Sequence, residues 1–366
     1  MDAGLKTLGP AALRRFQTLE CDAARVVTER FFPDSLPFPD RFKRQDECRE
    51  YLVYHLEFLK SALQFGSLAP MLAYLRWLDG VLAARNVPPH SLAQSLQWLA
   101  EYFAARMDRD DGEVVHAALL AARQRFVAAS EAATTQPAAP EPPAPEVVAL
   151  QTALLDGDQR GAFAIINRGL DAGRSLTEVE LEVIQPAMYR IGEAWQANEV
   201  SVAQEHLATA IVHAVMTMAL LRAKPPASNG RRVLLAGVTG NQHSVGLRMV
   251  ADAFQLAGWQ VQYLGADVPT AALLQQIESW SPHIVGLTVS FAQQLTDVKD
   301  AIGQIGRRFG SGRPAVLIGG LAINHFDWLV GMVGADGCGA DARAALAAAD
   351  RLFNDEDIRC RGSRPN

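Results

Sequence analysis

In the first third of the chain, apolar residues recur at the three- and four-residue spacing of an amphipathic helix. Residues 47–66 show this most clearly, because four leucines fall on one helical face. Residues 70–87 and 89–108 follow the same spacing. No alternating β-branched run interrupts these segments, so the pattern predicts an all-helical domain over residues 1–130.

Helical spacing returns in residues 147–226, where four amphipathic segments follow one another. Ser201 and Gln204 form an S-x-x-Q capping box, which predicts that the last of these helices begins at Val202. Four helices joined by short connections predict a four-helix bundle.

From about residue 229 the pattern changes to short apolar runs that alternate with helical segments. The runs are residues 231–238, 259–265, 283–290 and 315–320, with a weak fifth near Gly334. Strand–helix alternation predicts right-handed crossovers and a parallel sheet with helices on both faces. We therefore expect a flavodoxin-like, Rossmann-type domain of five strands over residues 229–354, with ligands bound beyond the carboxyl ends of the strands.

Two segments lack any such periodicity. Residues 131–146 are rich in proline and alanine and predict a semi-extended linker. Residues 355–366 are polar and predict a disordered tail.

Composition narrows the class of protein. The 366 residues carry a net charge of −6 with no dense run of Lys or Arg, which argues against direct nucleic-acid binding. No apolar run reaches the length of a membrane span, so no membrane partner is expected. The four cysteines have no C-x-x-C spacing, which indicates a reducing, cytoplasmic location without a cysteine-ligated zinc.

The candidate chemistry lies at the carboxyl ends of the predicted strands. His243 follows the first strand, with Asn241 two residues before it and Gly246 three residues after it. An imidazole there suits a transition metal, and an oxygen-bearing neighbour would orient its ring. Glycine permits close approach of a bulky ligand. Taken alone, a loop histidine is more often structural, and no G-x-G-x-x-G motif supports a phosphate site.

Further small or polar residues are predicted at the same edge of the sheet. They are Ser244, Leu264, Gly265, Asp267, Val268, Ser290, Gly319 and Gly320.

The succession N-Q-H-x-x-G, L-G-A-D-V-P, Ser290, I-G-G and G-A-D-G-C-G-A-D-A closely resembles the cobalamin-binding domain of methionine synthase and its relatives. That family's D-x-H-x-x-G histidine replaces the dimethylbenzimidazole base below cobalt. The resemblance implies that His243 is the lower axial cobalt ligand, and that Ser290, Gly319 and Gly320 line a slot for the displaced nucleotide tail. Asn241 stands where the family has an acidic residue, so a neutral ring partner is expected.

The bundle carries a second resemblance. Trp195, followed after nine residues by Glu205 and His206, is similar to the signature of CarH-type cobalamin photoreceptors. There the indole lies over the adenosyl group of adenosylcobalamin and the Glu-His pair contacts the upper cavity. The alternative is a core tryptophan and a solvated pair. His213 is expected to pack within the bundle, and Gln196 replaces a histidine of the CarH type.

The first 130 residues resemble the helical region of photocobilins, which pair cobalamin with the bilin biliverdin. Candidate bilin-binding residues are Tyr54, His55, Arg76, Trp77, His90 and Trp98. The alternative is a helical dimerisation domain in which these are ordinary core and surface residues.

These patterns together predict a non-enzymatic light sensor that binds adenosylcobalamin, with biliverdin as a second chromophore. Light would change its conformation or oligomeric state, a light-dependent dimer being expected. Neither a basic winged helix nor an output enzyme is visible, so a separate signalling protein is expected as partner. The alternatives are a corrinoid protein that carries a methyl group for a methyltransferase system and a cobalamin-sensing interaction module without photochemistry.

Overall fold

The computed structural model divides into two compact units, residues 1–139 and 140–366. It describes residues 5–32, 41–88, 90–132, 142–224 and 226–354. The predicted tail lies outside the described residues, as do residues 133–141 of the predicted linker.

The first unit is all-helical, as predicted. Its described helices are α1 (Pro10–Phe31), α2 (Arg41–Phe65), α3 (Ala69–Ala84), α4 (His90–Arg106) and α5 (Arg109–Ala132). The leucine stripe of α2 is buried, because Leu56, Leu59 and Leu63 have no exposed surface. Phe16 of α1 stacks on Phe103 of α4 at 4.7 Å between ring centroids, which places aromatic packing in the core.

The second unit begins with the predicted four-helix bundle, hereafter the cap. The first two helices are α6 (Pro145–Leu155) and α7 (Gln159–Asp171). The third is built from α8 (Leu176–Val179), a π turn (Glu180–Ile184) and α9 (Gln185–Gln196), and the fourth is α10 (Val202–Arg222). Aliphatic side chains from all four helices form one buried core.

The π turn has an identifiable cause in Pro186. Proline has no backbone N–H, and its ring would clash with the carbonyl four residues earlier in a regular α-helix. A wider turn relieves that clash without ending the helix. The same turn brings Glu180 into the interior, where its side chain is fully buried.

The capping box starts α10 where the sequence predicts it. The Ser201 hydroxyl accepts from the Gln204 backbone N–H at 3.3 Å, and the Gln204 side chain accepts from the Ser201 N–H at 3.0 Å. These two bonds satisfy donors that a helix start leaves open. They fix the first turn of α10, which carries Glu205 and His206.

The second half of this unit is a parallel sheet. Its strands are β1 (Arg232–Gly237), β2 (Gln260–Tyr263), β3 (Ile284–Thr288), β4 (Ala315–Gly319) and β5 (Gly337–Cys338). They pair in the order β2-β1-β3-β4-β5, which confirms the flavodoxin-like prediction.

Helices follow the strands around this sheet. They are α11 (Val245–Leu256), α12 (Thr270–Trp280), α13 (Leu295–Phe309), α14 (Leu321–His325), α15 (Leu329–Val333) and α16 (Ala342–Asn354). The chain order reverses between β1 and β3, so the loop after β1 lies at the point where such sheets bind ligands. His243 belongs to that loop. None of the helices that the structure describes has the length and apolarity needed to cross a membrane.

Candidate functional site

The loop after β1 is held by a buried amide. Asn241 has no exposed surface, and its Nδ2 donates to the Thr288 carbonyl of β3 at 2.9 Å. Its Oδ1 accepts the backbone N–H of His243 at 3.1 Å. These bonds go to backbone groups, so Asn241 fixes the position of His243 through the main chain. Its predicted bond with the imidazole ring stays a prediction.

His243 projects from this loop with an exposed side chain whose ring edge meets Phe291 at 5.1 Å between centroids. Desolvation by the neighbouring protein lowers the pKa of His243, while the negative charge of Glu205 acts in the opposite direction. The lowered pKa favours the neutral imidazole at neutral pH. A neutral imidazole with an accessible nitrogen is the form that binds a transition metal.

The loop after β2 supports the His243 loop from one side. Asp267 has a left-handed backbone with φ 51°, and its carboxylate accepts the Gly240 N–H at 2.7 Å. Its own N–H donates to the Asn241 carbonyl at 3.0 Å. The predicted residues Leu264, Gly265 and Val268 also bond to the first strand through their backbones. The two loops therefore form one rigid edge.

Gln294 supports the same edge from the other side, and the sequence pattern did not single it out. Its Oε1 accepts the N–H groups of Ser290 and Phe291 at 3.0 and 3.2 Å, and its Nε2 donates to the Gly240 carbonyl at 3.0 Å. A glutamine six residues after the end of β3 carries no distinctive sequence signal. Only the fold shows that it joins the third loop to the first.

Gly319 and Gly320 are required by the packing of the strands themselves. A Cβ on Gly319 would lie 2.9 Å from the carbonyl oxygen of Gly339. Gly320 has φ +101°, and a Cβ there would lie 2.4 Å from the carbonyl oxygen of Val289. Glycine at these positions thus has a structural explanation, and a role beside a nucleotide tail stays a prediction.

The cap contributes residues from the end of one helix and the start of the next. Trp195 lies in the last turn of α9 and is partly exposed. In the first turn of α10, Glu205 Oε2 lies 2.6 Å from His206 Nδ1, and Glu205 Oε1 accepts the Thr209 hydroxyl at 2.9 Å. The carboxylate of Glu205 lies near enough to His243 for its negative charge to raise the pKa of that imidazole.

His213 was expected to pack within the bundle, and the structure corrects this expectation. Its Nε2 lies 3.1 Å from the hydroxyl of Ser244, the residue after His243. The Ser244 carbonyl in turn accepts the Tyr263 hydroxyl at 3.3 Å. His213 therefore joins the cap to the loop, since two turns of α10 carry it from His206 to the edge of the sheet.

The geometry fits a metal that is carried by a flat organic ring. Gly246 lies in the first turn of α11, and a Cβ there would meet no atom within 4 Å. The first turn of α11 is therefore open at Gly246. Within the described residues, no group of three or more His, Cys, Asp or Glu side chains could hold a metal ion. A single exposed imidazole suits a metal whose other ligands come from a macrocycle.

Three of the six candidate bilin residues of the first unit pack against other aromatic side chains, and the other three are exposed. His55 is buried, with its Nδ1 3.0 Å from the Tyr74 hydroxyl, and Trp77 lies beside Tyr74 at 6.1 Å between centroids. Trp98 instead packs against Phe31 at 4.7 Å between ring centroids. Tyr54, Arg76 and His90 are exposed. Burial lowers the pKa of His55 to about 4, as for an ordinary core histidine bonded to tyrosine.

Comparison with protein families identifies the class of the second unit. Residues 148–219 and 231–349 each match a family model described as a B12 binding domain. The chain therefore contains a cobalamin-binding module, in which the cap and the sheet domain are the two parts.

The similar proteins include transcriptional repressors and corrinoid proteins. The chain is 30% identical over 144 residues to the HTH-type transcriptional repressor CarH of Myxococcus xanthus, which covers 39% of this chain and 48% of that protein. It is 24% identical over 217 residues to the trimethylamine corrinoid protein of Methanosarcina barkeri, covering 57% and 97%. The chain thus spans about half of the repressor.

A solved structure matches slightly more than half of the chain. The monomethylamine corrinoid protein of Methanosarcina barkeri superposes with a TM-score of 0.47 at 19% identity, and the match covers 55% of this chain and 96% of that one. The fold assignment rests on the strand order and the family match described above.

Proposed function

We propose that this protein is a light sensor that binds adenosylcobalamin, with His243 as the lower axial ligand of cobalt. The observation that carries the proposal is the placement of Trp195 and the Glu205-His206 pair on consecutive cap helices, with Glu205 acting electrostatically on His243. Adenosylcobalamin supplies a cobalt–carbon bond that light cleaves.

Each residue of the site has a role in this proposal. His243 binds the metal as a neutral imidazole, and Asn241 holds its loop in place. The Trp195 indole stacks on the adenosyl group, because large aromatic faces pack well against nucleosides. Glu205 and His206 hydrogen-bond the same group from the start of α10, where an acidic side chain is favourable.

The remaining predicted residues belong to the lower side of the site. We assign to the walls around the ring and its nucleotide tail the residues Ser244, Gly246, Leu264, Gly265, Asp267, Val268, Ser290, Gly319 and Gly320.

The proposed signal is a change in the position of the cap helices. Without the adenosyl group, the Trp195 indole and the Glu205-His206 pair lose the contacts that favour one position of α9 and α10. A conformational change requires such a difference in contacts between the two states of the protein. The expected consequence is a change in oligomeric state, with a light-dependent dimer, or in contact with a separate signalling protein. The CarH repressor, a transcriptional regulator by name, supports a regulatory role.

Biliverdin is the proposed second chromophore, held by the first unit. His55, Tyr54 and Trp77 supply polar and aromatic groups on α2 and α3, and Arg76 supplies a cation for a propionate. Trp98 and His90 lie on α4.

The alternative function is a corrinoid protein that carries a methyl group for a methyltransferase system. The observation that favours it is the match to the trimethylamine corrinoid protein over 97% of that protein's length. Such a carrier needs the His243 loop but has no adenosyl group for Trp195 to cover. The two functions therefore differ in the upper ligand that they select.

One experiment separates the two functions. The full chain is reconstituted with adenosylcobalamin in the dark, and its visible spectrum and molecular mass are measured before and after green light. A sensor shows a light-dependent spectrum together with a change in mass or in cap protection from hydrogen exchange. A photostable spectrum with unchanged mass and protection contradicts the proposal. Biliverdin added in parallel tests the first unit through the appearance of red absorbance.

A further inference from the structure

Two buried carboxyl groups, of Glu180 and Asp252, face each other between the cap and the sheet domain. Glu180 of the π turn is fully buried, and neither of its carboxyl oxygens has a hydrogen-bond donor. Asp252 of α11 is 1% exposed, and its Oδ2 also has no donor. Its Oδ1 accepts from Arg248 Nε at 2.7 Å. Three buried oxygens thus require an explanation.

A single proton gives partners to two of these three oxygens, one from each residue, and removes one of the two negative charges. Two ionised carboxylates only accept hydrogen bonds, and they repel each other strongly in a buried site. If Glu180 carries the proton, its hydroxyl donates to the free oxygen of Asp252, which keeps its charge opposite Arg248. Burial, together with the charge of Asp252, raises the pKa of Glu180 to about 10. Burial also raises the pKa of Asp252, while Arg248 opposes that effect.

We propose that Glu180 is protonated in the folded protein, and that its hydrogen bond to Asp252 positions the cap on the sheet domain. The π turn continues directly into α9, whose last turn carries Trp195. Asp252 lies on α11, which begins two residues after His243. The bond therefore connects the helical segment that carries Trp195 to α11, which begins beside the His243 loop.

The other charged groups nearby have partners elsewhere. On the same helical segment, Glu178 and Glu182 lie beside Arg343, and Glu182 also bonds Arg174. Glu146 of α6 also bonds Arg174. His213 of α10 and Tyr263 of β2 lie beside Arg248, the partner of Asp252. Asp252 and Arg248 are thus the charges that act directly on Glu180.

The direction of the pH dependence follows from the raised pKa. The folded protein holds a proton on Glu180 up to about pH 10, whereas the unfolded chain releases it near pH 4.5. The stabilisation is therefore complete below pH 4.5 and is lost as the pH rises toward 10. One proton of difference changes the folding equilibrium constant about tenfold for each pH unit. The inference does not depend on the response to light.

The test compares the full-length protein with Glu180→Gln and with the control Glu182→Gln. The glutamine amide of E180Q donates to Asp252 at every pH, whereas E182Q removes the same charge from an exposed position two residues away. Urea unfolding is measured from pH 6 to 9. The folding constant of E180Q should rise relative to wild type by up to about tenfold per pH unit. Parallel profiles for wild type and E180Q, or an equal effect of E182Q, overturn the proposal.

A second set of measurements covers the case in which E180Q fails to fold. At pH 8 the infrared spectrum of the wild-type protein should contain the carbonyl band of a buried carboxylic acid. In Asp252→Asn that band should shift, because the hydroxyl of the buried Glu180 then donates to a neutral amide oxygen and no longer to a carboxylate. A wild-type spectrum without the band, or an unchanged band in D252N, overturns the proposal.

The positioning role has its own measurement. The adenosylcobalamin-loaded protein is kept in the dark, and release of the cofactor is followed by absorbance from pH 7 to 9. Wild type should release it faster as the pH rises, because opening of the cap exposes Glu180 and lets it ionise, whereas the rate for E180Q should stay constant. An equal increase in both proteins contradicts a role of Glu180 in holding the cap.

Discussion

The imidazole Nε2 of His213 lies 3.1 Å from the hydroxyl oxygen of Ser244. His213 belongs to the cap helix α10, and Ser244 directly follows the proposed cobalt ligand His243. One half-buried hydrogen bond therefore joins α10, which carries Glu205 and His206, to the loop that carries His243. Any movement of α10 along its axis has to break or stretch this bond, which makes it a direct link between the two sides of the site.

Removal of either partner should weaken both the protein and its cofactor site. His213→Ala and Ser244→Ala should each lower the free energy of unfolding by about 1 kcal/mol, the usual contribution of such a bond. Urea unfolding and cobalamin titration measure the two effects. The double variant provides the control, because partners in one bond give non-additive effects. Fully additive losses would show that the two side chains act independently.

His243→Ala tests the metal ligand directly. The variant should bind cobalamin at least about tenfold more weakly, since altering groups around a metal ligand alone has effects of that size. Its visible spectrum should lack the features of histidine ligation. Asn241→Ala is the comparison, because Asn241 holds the loop backbone and its loss should also destabilise the fold. A histidine-ligated spectrum in His243→Ala refutes the assignment.

The sequence predicted this fold well where one local pattern decided the outcome. Strand–helix alternation was enough for the strand order, and the Ser201 capping box for the start of α10. The π turn was not predicted, because a proline in a helical pattern indicates a break or a kink without specifying which. Gln294 and the Glu180–Asp252 pair were missed because their partners lie far away in sequence and only the tertiary fold brings them together.

Acid should destabilise the first unit through His55. Its pKa is about 4 in the folded protein, well below the ordinary value of 6.5. A lowered pKa stabilises the fold above pH 6.5, and this contribution is lost as the pH falls toward 4. The difference corresponds to about 3 kcal/mol. His55→Gln should therefore flatten the acid side of the stability profile, measured by hydrogen exchange in α2. The exposed histidine variant His90→Gln should leave that profile unchanged.

Trp195 should determine which cobalamin the protein prefers. Trp195→Ala should reduce the affinity for adenosylcobalamin by about two- to tenfold, as expected from the loss of an aromatic stacking contact. The affinity for methylcobalamin should change much less. Tyr189→Ala is the matched control, because it removes an exposed aromatic residue from the same helix. Equal losses for both cobalamins would contradict the adenosyl contact and favour a methyl carrier.

Two glycines at the sheet edge should respond to alanine in opposite ways. Gly320 has φ +101° and no room for a Cβ, so Gly320→Ala should lower the free energy of unfolding by about 2 kcal/mol or more. Gly246 has a helical backbone and open space around it. Gly246→Ala should therefore stabilise the cofactor-free protein, by up to about 1 kcal/mol.

Cobalamin binding then distinguishes a structural glycine from one that faces the ligand. If the corrin ring approaches Gly246 closely, the added methyl group of Gly246→Ala weakens binding although the fold is more stable. Thermal unfolding without cofactor and a cobalamin titration, both on the same variant, measure these two opposite effects. Unchanged affinity in Gly246→Ala would mean that the ring does not fill the open space at Gly246 and has to lie on another side of the His243 imidazole.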